Sequence, residues 1–263
     1  MSLDLFSLKG RTALVTGGSR GIGKMIARGF IEAGAAKVYI SSRKAGDCDA
    51  TAAELGPACI SLPQDVSTVD GVQALAGRYG EHEDKLDILV NNAGAAWGAP
   101  FDEFPEAGWD KVMNLNVKSP FFLTQALHGA LKKAASPDKP AKVINVASID
   151  GIYLNPLETY SYHASKSSLI YLTRRMAATL VKENILVTCI APGAFPSAMN
   201  RAARDHGDVV AKAIPQGRIG RDDDMAAVAI YLASRAGDYV VGVTIPVDGG
   251  VSMASLPAVG AAG

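Results

Sequence analysis

The chain has 263 residues, 48% of them hydrophobic, which suits one large α/β core and makes two independent domains an unlikely division. Lys plus Arg and Asp plus Glu both number 26, so the formal net charge is zero and no global field draws the protein to nucleic acid or to an anionic membrane. The three cysteines, Cys48, Cys59 and Cys189, show no CxxC spacing and have too few neighbouring histidines for a zinc set, which predicts reduced thiols, a cytoplasmic location and no metal.

Met1 to Lys9 contains neither a basic leader nor an uninterrupted apolar stretch. No segment approaches the roughly 20 apolar residues of a membrane span, so a soluble, untargeted protein is expected. In chain order, Thr12–Thr16 reads as the first strand, followed by a helix over Gly23–Ala33 and a strand over Lys37–Ser41. A short strand near Cys59–Leu62 precedes a helix over Thr68–Glu83 and a strand at Ile88–Asn91. A long helix is expected over Phe104–Lys133, then a strand at Lys142–Ala147, a helix over Tyr160–Glu183, a strand at Leu186–Ile190, a helix over Asp222–Ala233 and a last strand at Val243–Pro246. This alternation predicts one α/β domain over residues 1–263, a doubly wound parallel sheet of Rossmann type with helices on both faces. Ser136–Pro140 reads as a surface loop. The Gly- and Pro-punctuated stretch over about 193–220, with apolar Phe195, Met199 and Ile214, reads as a mobile lid that closes over a hydrophobic substrate.

The turn Thr16-Gly17-Gly18-Ser19-Arg20-Gly21-Ile22-Gly23 stands between the first strand and the first helix. Glycines let backbone turn sharply and approach a pyrophosphate, while a helix N-terminus offers unpaired amides and partial positive charge. A tight turn that binds nothing is the bland alternative. About 20 residues further on, where an NAD site carries an acidic residue, the chain has Ser41-Ser42-Arg43-Lys44. Arg43 can grip a 2′-phosphate bidentately, with Arg20 as a second cation, which favours NADPH over NADH. A merely solvated surface turn at Arg43 and Lys44 stays open.

Tyr162 and Lys166 lie four apart within a helical pattern and so share a face. An ammonium about 4 Å from the phenol, at an effective dielectric of about 20, is worth roughly 4 kcal/mol, against about 1.4 per pKa unit. A phenol pKa near neutrality then becomes possible, making Tyr162 a candidate proton donor.

With Thr16-Gly17-x-x-x-Gly21-x-Gly23, Asn91-Asn92-Ala93-Gly94, Ser148 and Tyr162-x-x-x-Lys166 in this order, the chain resembles the classical short-chain dehydrogenase/reductases over about residues 8 to 252. Asp65-Val66, Leu115-Asn116-Val117, Pro192-Gly193 and Asp248-Gly249-Gly250 agree with it. The resemblance implies that Ser148 orients a substrate carbonyl, Tyr162 donates the proton, Lys166 lowers the tyrosine pKa and holds the nicotinamide ribose, and Asn116 holds a relay water. Two positioned hydroxyls make sense there, because hydride attack develops negative charge on the carbonyl oxygen. It further implies Asp65 and Val66 at the adenine, Asn92, Ala93 and Gly94 beside the sugar–phosphate, and Pro192 and Gly193 near the nicotinamide, with Phe195 and Ser197 completing that contact.

More narrowly, Gly94-Ala95-Ala96-Trp97-Gly98 and Ala191-Pro192-Gly193-Ala194-Phe195-Pro196-Ser197 are similar to β-ketoacyl reductases of the rhamnolipid-pathway type. Trp97, with Ile152, Tyr153, Leu154 and Leu157 between Ser148 and Tyr162, is then expected to line the substrate pocket, although the 152–157 stretch could equally serve local packing. Lys182 adjoins Glu183, a mixed charge that leaves docking of an acidic acyl carrier protein in doubt. The expected activity is NADPH-dependent reduction of a ketone, foremost a 3-oxoacyl thioester. An alcohol or polyol dehydrogenase and an NADP(H)-sensing binding protein are the alternatives, and family practice implies a homotetramer or, second, a dimer.

Overall fold

The computed structural model describes residues 3–197 and 200–255. Seven strands, β1 (Thr12–Thr16), β2 (Lys37–Ser41), β3 (Cys59–Ser61), β4 (Ile88–Asn91), β5 (Ala141–Val146), β6 (Ile185–Pro192) and β7 (Thr244–Val247), form one sheet in the order β3-β2-β1-β4-β5-β6-β7. Every strand pairing is parallel. The helices between them are α1 (Gly21–Glu32), α2 (Ala45–Leu55), α3 (Val69–Gly80), α4 (Glu106–Met113), α5 (Ser119–Ala126), α6 (His128–Ala134), α7 (Tyr160–Leu180), the short α8 (Arg201–Asp205) and α9 (Gly207–Ala211), and α10 (Asp222–Ala233).

Successive strand side chains point to opposite faces, and the two cores follow that period. Ala13, Val15, Val38, Ile40, Ile88, Val90, Ile144 and Val146 pack on one face with Met25, Phe30, Met225 and Ala229 of α1 and α10. Leu14, Tyr39, Leu89 and Val143, the residues between them, pack on the other with Val72, Leu75, Leu123, Leu131 and Met176 of α3, α5, α6 and α7. A strand buried on both faces must be apolar throughout, which is why these runs were legible without alternation. The strand order reverses at β1, which pairs with both β2 and β4, and this opens a crevice above their carboxyl ends.

The single helix expected over residues 104–133 is broken. Pro105 caps α4, residues Asn114–Lys118 form a π turn, and Leu127 (φ −92°, ψ 2°) separates α5 from α6. Pro120 accounts for the π turn: it has no N–H for the carbonyl of Asn116 four residues earlier, and its ring crowds the preceding turn, so the backbone widens there. The helix expected over 68–83 is Val69–Gly80, with the Thr68 hydroxyl accepting from the Gly71 amide as N-cap. Helix α2 escaped the sequence reading because it buries only Cys48, Thr51 and Ala52 and so carries little apolar periodicity.

At the amino ends of the strands, charges are buried in pairs. Lys142 in β5 is 2% exposed and donates to Asp238 at 2.6 Å, while Arg11 bonds the Pro140 carbonyl at 2.9 Å and lies 3.5 Å from Asp87. Burial lowers the Lys142 pKa, Asp238 offsets that, and Arg11 adds to the lowering. Breaking such a pair strands a charge. Asp238→Ala should therefore cost about 3 kcal/mol in urea unfolding, and clearly more than Lys142→Met, which removes the buried charge itself. Equal, small losses in the two variants would show that Lys142 finds water instead.

Candidate active site

The glycine turn opens over the carboxyl ends of β1 and β4. Gly17 has φ +66°, and a Cβ there would lie 2.7 Å from Asn92 Nδ2, so only glycine fits both the conformation and the space. A Cβ on Gly23 would strike the Gly17 carbonyl and sit 2.5 Å from Asn92 Nδ2. Asn92 ties the turn down, its Nδ2 donating to the carbonyls of Thr16 (2.9 Å) and Gly17 (3.2 Å). Thr16 Oγ1 accepts from the amides of Asn92 and Ala93 at 3.0 and 3.1 Å and donates to the Val90 carbonyl. The Ser19 carbonyl is held by Thr51 Oγ1 of α2 at 2.8 Å. Thr16 and Thr51 carry no motif signature, and the sequence reading missed their role.

Beyond that turn, Arg20 is exposed at the start of α1 and caps nothing with its side chain. Arg43 is exposed just past β2, and neither arginine forms an ion pair among the described residues. Ser42 Oγ donates to the Lys44 carbonyl at 3.4 Å, and half-buried Ile22 packs on the first core. Asp65 is exposed and accepts from the Ser67 amide at 2.9 Å, whereas Val66 is buried in the second core. Gly193 donates to the Val247 carbonyl at 2.9 Å, directly after Pro192 at the end of β6. Ser197 comes back to the glycine turn, its Cβ 3.2 Å from where a Gly21 Cβ would stand. Residues from the glycine turn, β4, β6 and the following loop thus converge on one crevice.

The remaining group sits on α7 and the π turn. Two buried amides, Asn91 in β4 and Asn145 in β5, bond each other at 2.9 Å; Asn91 also donates to Thr124 of α5 at 3.2 Å and Asn145 to Thr173 of α7 at 2.9 Å. This ladder fixes α7 against the strand that ends at Ser148. Ser148 Oγ accepts from the Asp150 amide at 3.1 Å and is near enough to the Tyr162 phenol to lower its pKa. Lys166 is buried, donates from Nζ to the Val146 carbonyl at 2.9 Å, and lies 5.4 Å from the Tyr162 ring centre. Asn116 Oδ1 accepts from the Ala95 amide at 2.8 Å, and its Nδ2 donates to the Ala95 carbonyl at 2.9 Å and to Ser165 Oγ at 3.0 Å. Gly94 runs between Asn116 and Lys166: a Cβ there would be 3.3 Å from Asn116 Oδ1 and 3.7 Å from Lys166 Nζ.

The electrostatics correct the expected phenol acidity. Burial pushes Tyr162 up to about 12, opposed by nearby Ser148 and reinforced by Asp150. Lys166 itself is brought down to about 8 by burial, with Cys189 and Asp150 pulling the other way. The ammonium is directed at a carbonyl and the ring rather than the phenolic oxygen, so desolvation outweighs the Coulomb gain that spacing alone suggested. At neutral pH Tyr162 carries its proton.

Of the apolar residues, Ile152, Tyr153, Leu154 and Leu157 form an exposed rim between Ser148 and Tyr162, with Leu154 82% exposed. Trp97 instead lies against Gly108 of α4, beneath the Lys111 ammonium 5.1 Å from its ring centre. Within the expected lid, Phe195 and Ile214 are already buried, Phe195 against Gly220, so they anchor the segment's ends; Met199 lies outside the described residues. No group of three or more His, Cys, Asp or Glu among the described residues could hold a metal, and no helix there is long and apolar enough to cross a membrane.

A family model described as enoyl-(acyl carrier protein) reductase matches residues 17–252. The rhamnolipids biosynthesis 3-oxoacyl-[acyl-carrier-protein] reductase of Pseudomonas aeruginosa is 48% identical over 250 residues, covering 93% of this chain and 97% of that protein. The 2-dehydro-3-deoxy-D-gluconate 5-dehydrogenase of Escherichia coli is 39% identical, covering 95% and 98%. The Pseudomonas aeruginosa RhlG/NADP active-site complex superposes with a TM-score of 0.92 at 47% identity, over 96% of this chain and 100% of that one. With a match spanning almost its whole length, and with its sheet order, glycine turn and Ser148–Tyr162–Lys166 cluster, the chain belongs to the short-chain dehydrogenase/reductase family of oxidoreductases.

Proposed function

We propose that the protein reduces a ketone with NADPH, and that the preferred ketone is a 3-oxoacyl thioester. The grouping of buried Ser148, protonated Tyr162 and buried Lys166 carries this reading: it presents two hydroxyls where a carbonyl oxygen would gather charge. The crevice fits a dinucleotide. Gly17 and Gly23 let the turn close tightly on Asn92 at the mouth of the crevice, and Arg20 and Arg43 stand exposed beside it without ion pairs among the described residues, placed to take a 2′-phosphate. When bound, NADPH supplies the hydride. The 48% identical relative is a 3-oxoacyl reductase, and the apolar rim at Ile152, Tyr153, Leu154 and Leu157 suits an acyl chain better than a polyol. The gluconate-type relatives keep the polyol dehydrogenase as a second reading. A sensor without turnover has no need of the intact cluster.

In this mechanism Ser148 donates to the carbonyl oxygen and Tyr162 gives it a proton as the alkoxide forms. The Lys166 charge stabilises the tyrosinate left behind. The Asn116 carboxamide is spent on Ala95 and Ser165, so the group left to hold a relay water is its main-chain carbonyl, whose helical donor is missing at Pro120. Trp97 shapes the pocket through its seat on α4, Tyr153 touches substrate from the rim, and the 193–220 segment covers it. Exposed Phe101, Trp109, Phe121 and Tyr171 on or beside α4, α5 and α7 support assembly as a homotetramer, and buried free cysteines fit a cytoplasmic enzyme.

Three outcomes test this reading. Tyr162→Phe should lower kcat by at least about a hundredfold, the low end for removal of a general acid, with NADPH affinity nearly intact; near-normal turnover would remove Tyr162 from the chemistry. Because Lys166 titrates at about 8, its charge is present below that pH and lost above it, so kcat for reduction should fall as pH rises through about 8. A flat profile from neutral to alkaline pH would show that the Lys166 charge is not needed. Arg43→Asp should weaken NADPH binding by at least about tenfold more than NADH binding, the loss of a charge-assisted pair, and an unchanged preference in titration fluorescence would place Arg43 elsewhere.

A further inference from the structure

We propose that Ser165 is a positioning residue of the reduction, acting through Asn116 and the first turn of α7; the inference rests on the function proposed above. Ser165 is fully buried, three residues after Tyr162 and one before Lys166. Its hydroxyl donates to the Tyr162 carbonyl at 2.8 Å, which uses its one hydrogen, so towards Asn116 it acts only as an acceptor, at 3.0 Å from Nδ2. The two Nδ2 hydrogens of Asn116 are then fully used, one on Ser165 and one on Ala95, and Oδ1 is left to the Ala95 amide.

Among the described residues, the hydroxyl is thus the one side-chain hydrogen bond between the π turn and the helix that bears both Tyr162 and Lys166. A π turn interrupts the regular ladder of a helix, and here Asn116 is held by Ala95 on one side and by Ser165 on the other. Removing the acceptor leaves a buried amide hydrogen unsatisfied and Ala95 as the carboxamide's remaining hold, so Asn116 shifts relative to Lys166 and Gly94. Ser165 touches neither substrate nor cofactor in this account. It sets where the Asn116 carbonyl stands relative to the lysine ammonium, and so how readily Tyr162 regains its proton.

The test measures steady-state kinetics with NADPH and the best ketone substrate of the unmodified enzyme. Ser165→Ala should lower kcat tenfold or more, leave the NADPH Kd from nicotinamide fluorescence within twofold, and displace the alkaline limb of the kcat profile. Ser165→Thr, which keeps the hydroxyl, should recover most of the loss. Combined with Asn116→Ala, the Ser165→Ala change should add nothing further, since both act on one unit. The proposal is overturned by a kcat within twofold of the unmodified enzyme, by losses that add in the double variant, or by a loss with an unmoved pH limb and no rescue by Thr. Should Ser165→Ala not fold, Ser165→Cys, which keeps the volume and loses the strong acceptor, is read by the same criteria. Retained turnover in Tyr162→Phe would instead defeat the underlying function, whatever Ser165 does.

Discussion

Asn91 and Asn145 stand side by side in the middle of a dry sheet, and the rest of the site depends on how they are satisfied. An unpaired amide in that position costs about 1–3 kcal/mol, so each must find partners, and those available are each other and one threonine on each of two covering helices. Thr124 and Thr173 also return their own hydrogens to their helices, at the carbonyls of Pro120 and Leu169. The ladder therefore sets the height of α5 and α7 along the strands. Ser148 lies three residues beyond Asn145, Tyr162 and Lys166 lie upstream of Thr173 on the same helix, and Pro120 ends the π turn that holds Asn116. A slip of one helical step would separate all four.

Much of the sheet was legible because strands buried on two faces are written as short runs rich in apolar and β-branched residues, as at Thr12–Thr16 and Ile88–Asn91. Cys59–Ser61 emerged despite its brevity. Helices were legible where an apolar stripe existed, as in α1, and failed where it did not, as in α2. The long helix over 104–133 was misread because its hydrophobic pattern runs on through Pro120, and the consequence of a missing amide four residues earlier is invisible to a pattern of apolar residues. The convergence of the glycine turn, Asn92, Ser148, Tyr162 and Lys166 followed from residue order. The buttresses did not: Thr16, Thr51 and Ser165 are ordinary residues whose value comes only from the buried groups they meet.

The Tyr162–Lys166 pair illustrates what spacing omits. Four residues on a helix guarantee a shared face, yet they say nothing about how much water remains or where the ammonium points. Here the lysine is nearly fully buried and turned to the Val146 carbonyl, so desolvation governs both groups and moves them in opposite directions, the phenol up and the ammonium down. The phenol therefore keeps its proton at neutral pH, and the ammonium gives its own up more easily than an exposed lysine. The environment separates the two roles more than the pair interaction does.

The ends of the sheet have a consequence for how crowded this protein can be. Edge strands invite open-ended pairing with other chains, the first step of fibrous aggregation. One edge, β3, is three residues long. At the other, the carbonyls of Val243 and Val247 turn inward to accept from Cys189 of β6 and from Gly193 just beyond it, which turns Thr244 and Pro246 outward. Pro246 has no amide hydrogen, so in β7 the outer edge offers only the Thr244 donor. A strand added along β7 would find one donor there, which disfavours extension of the sheet across this edge.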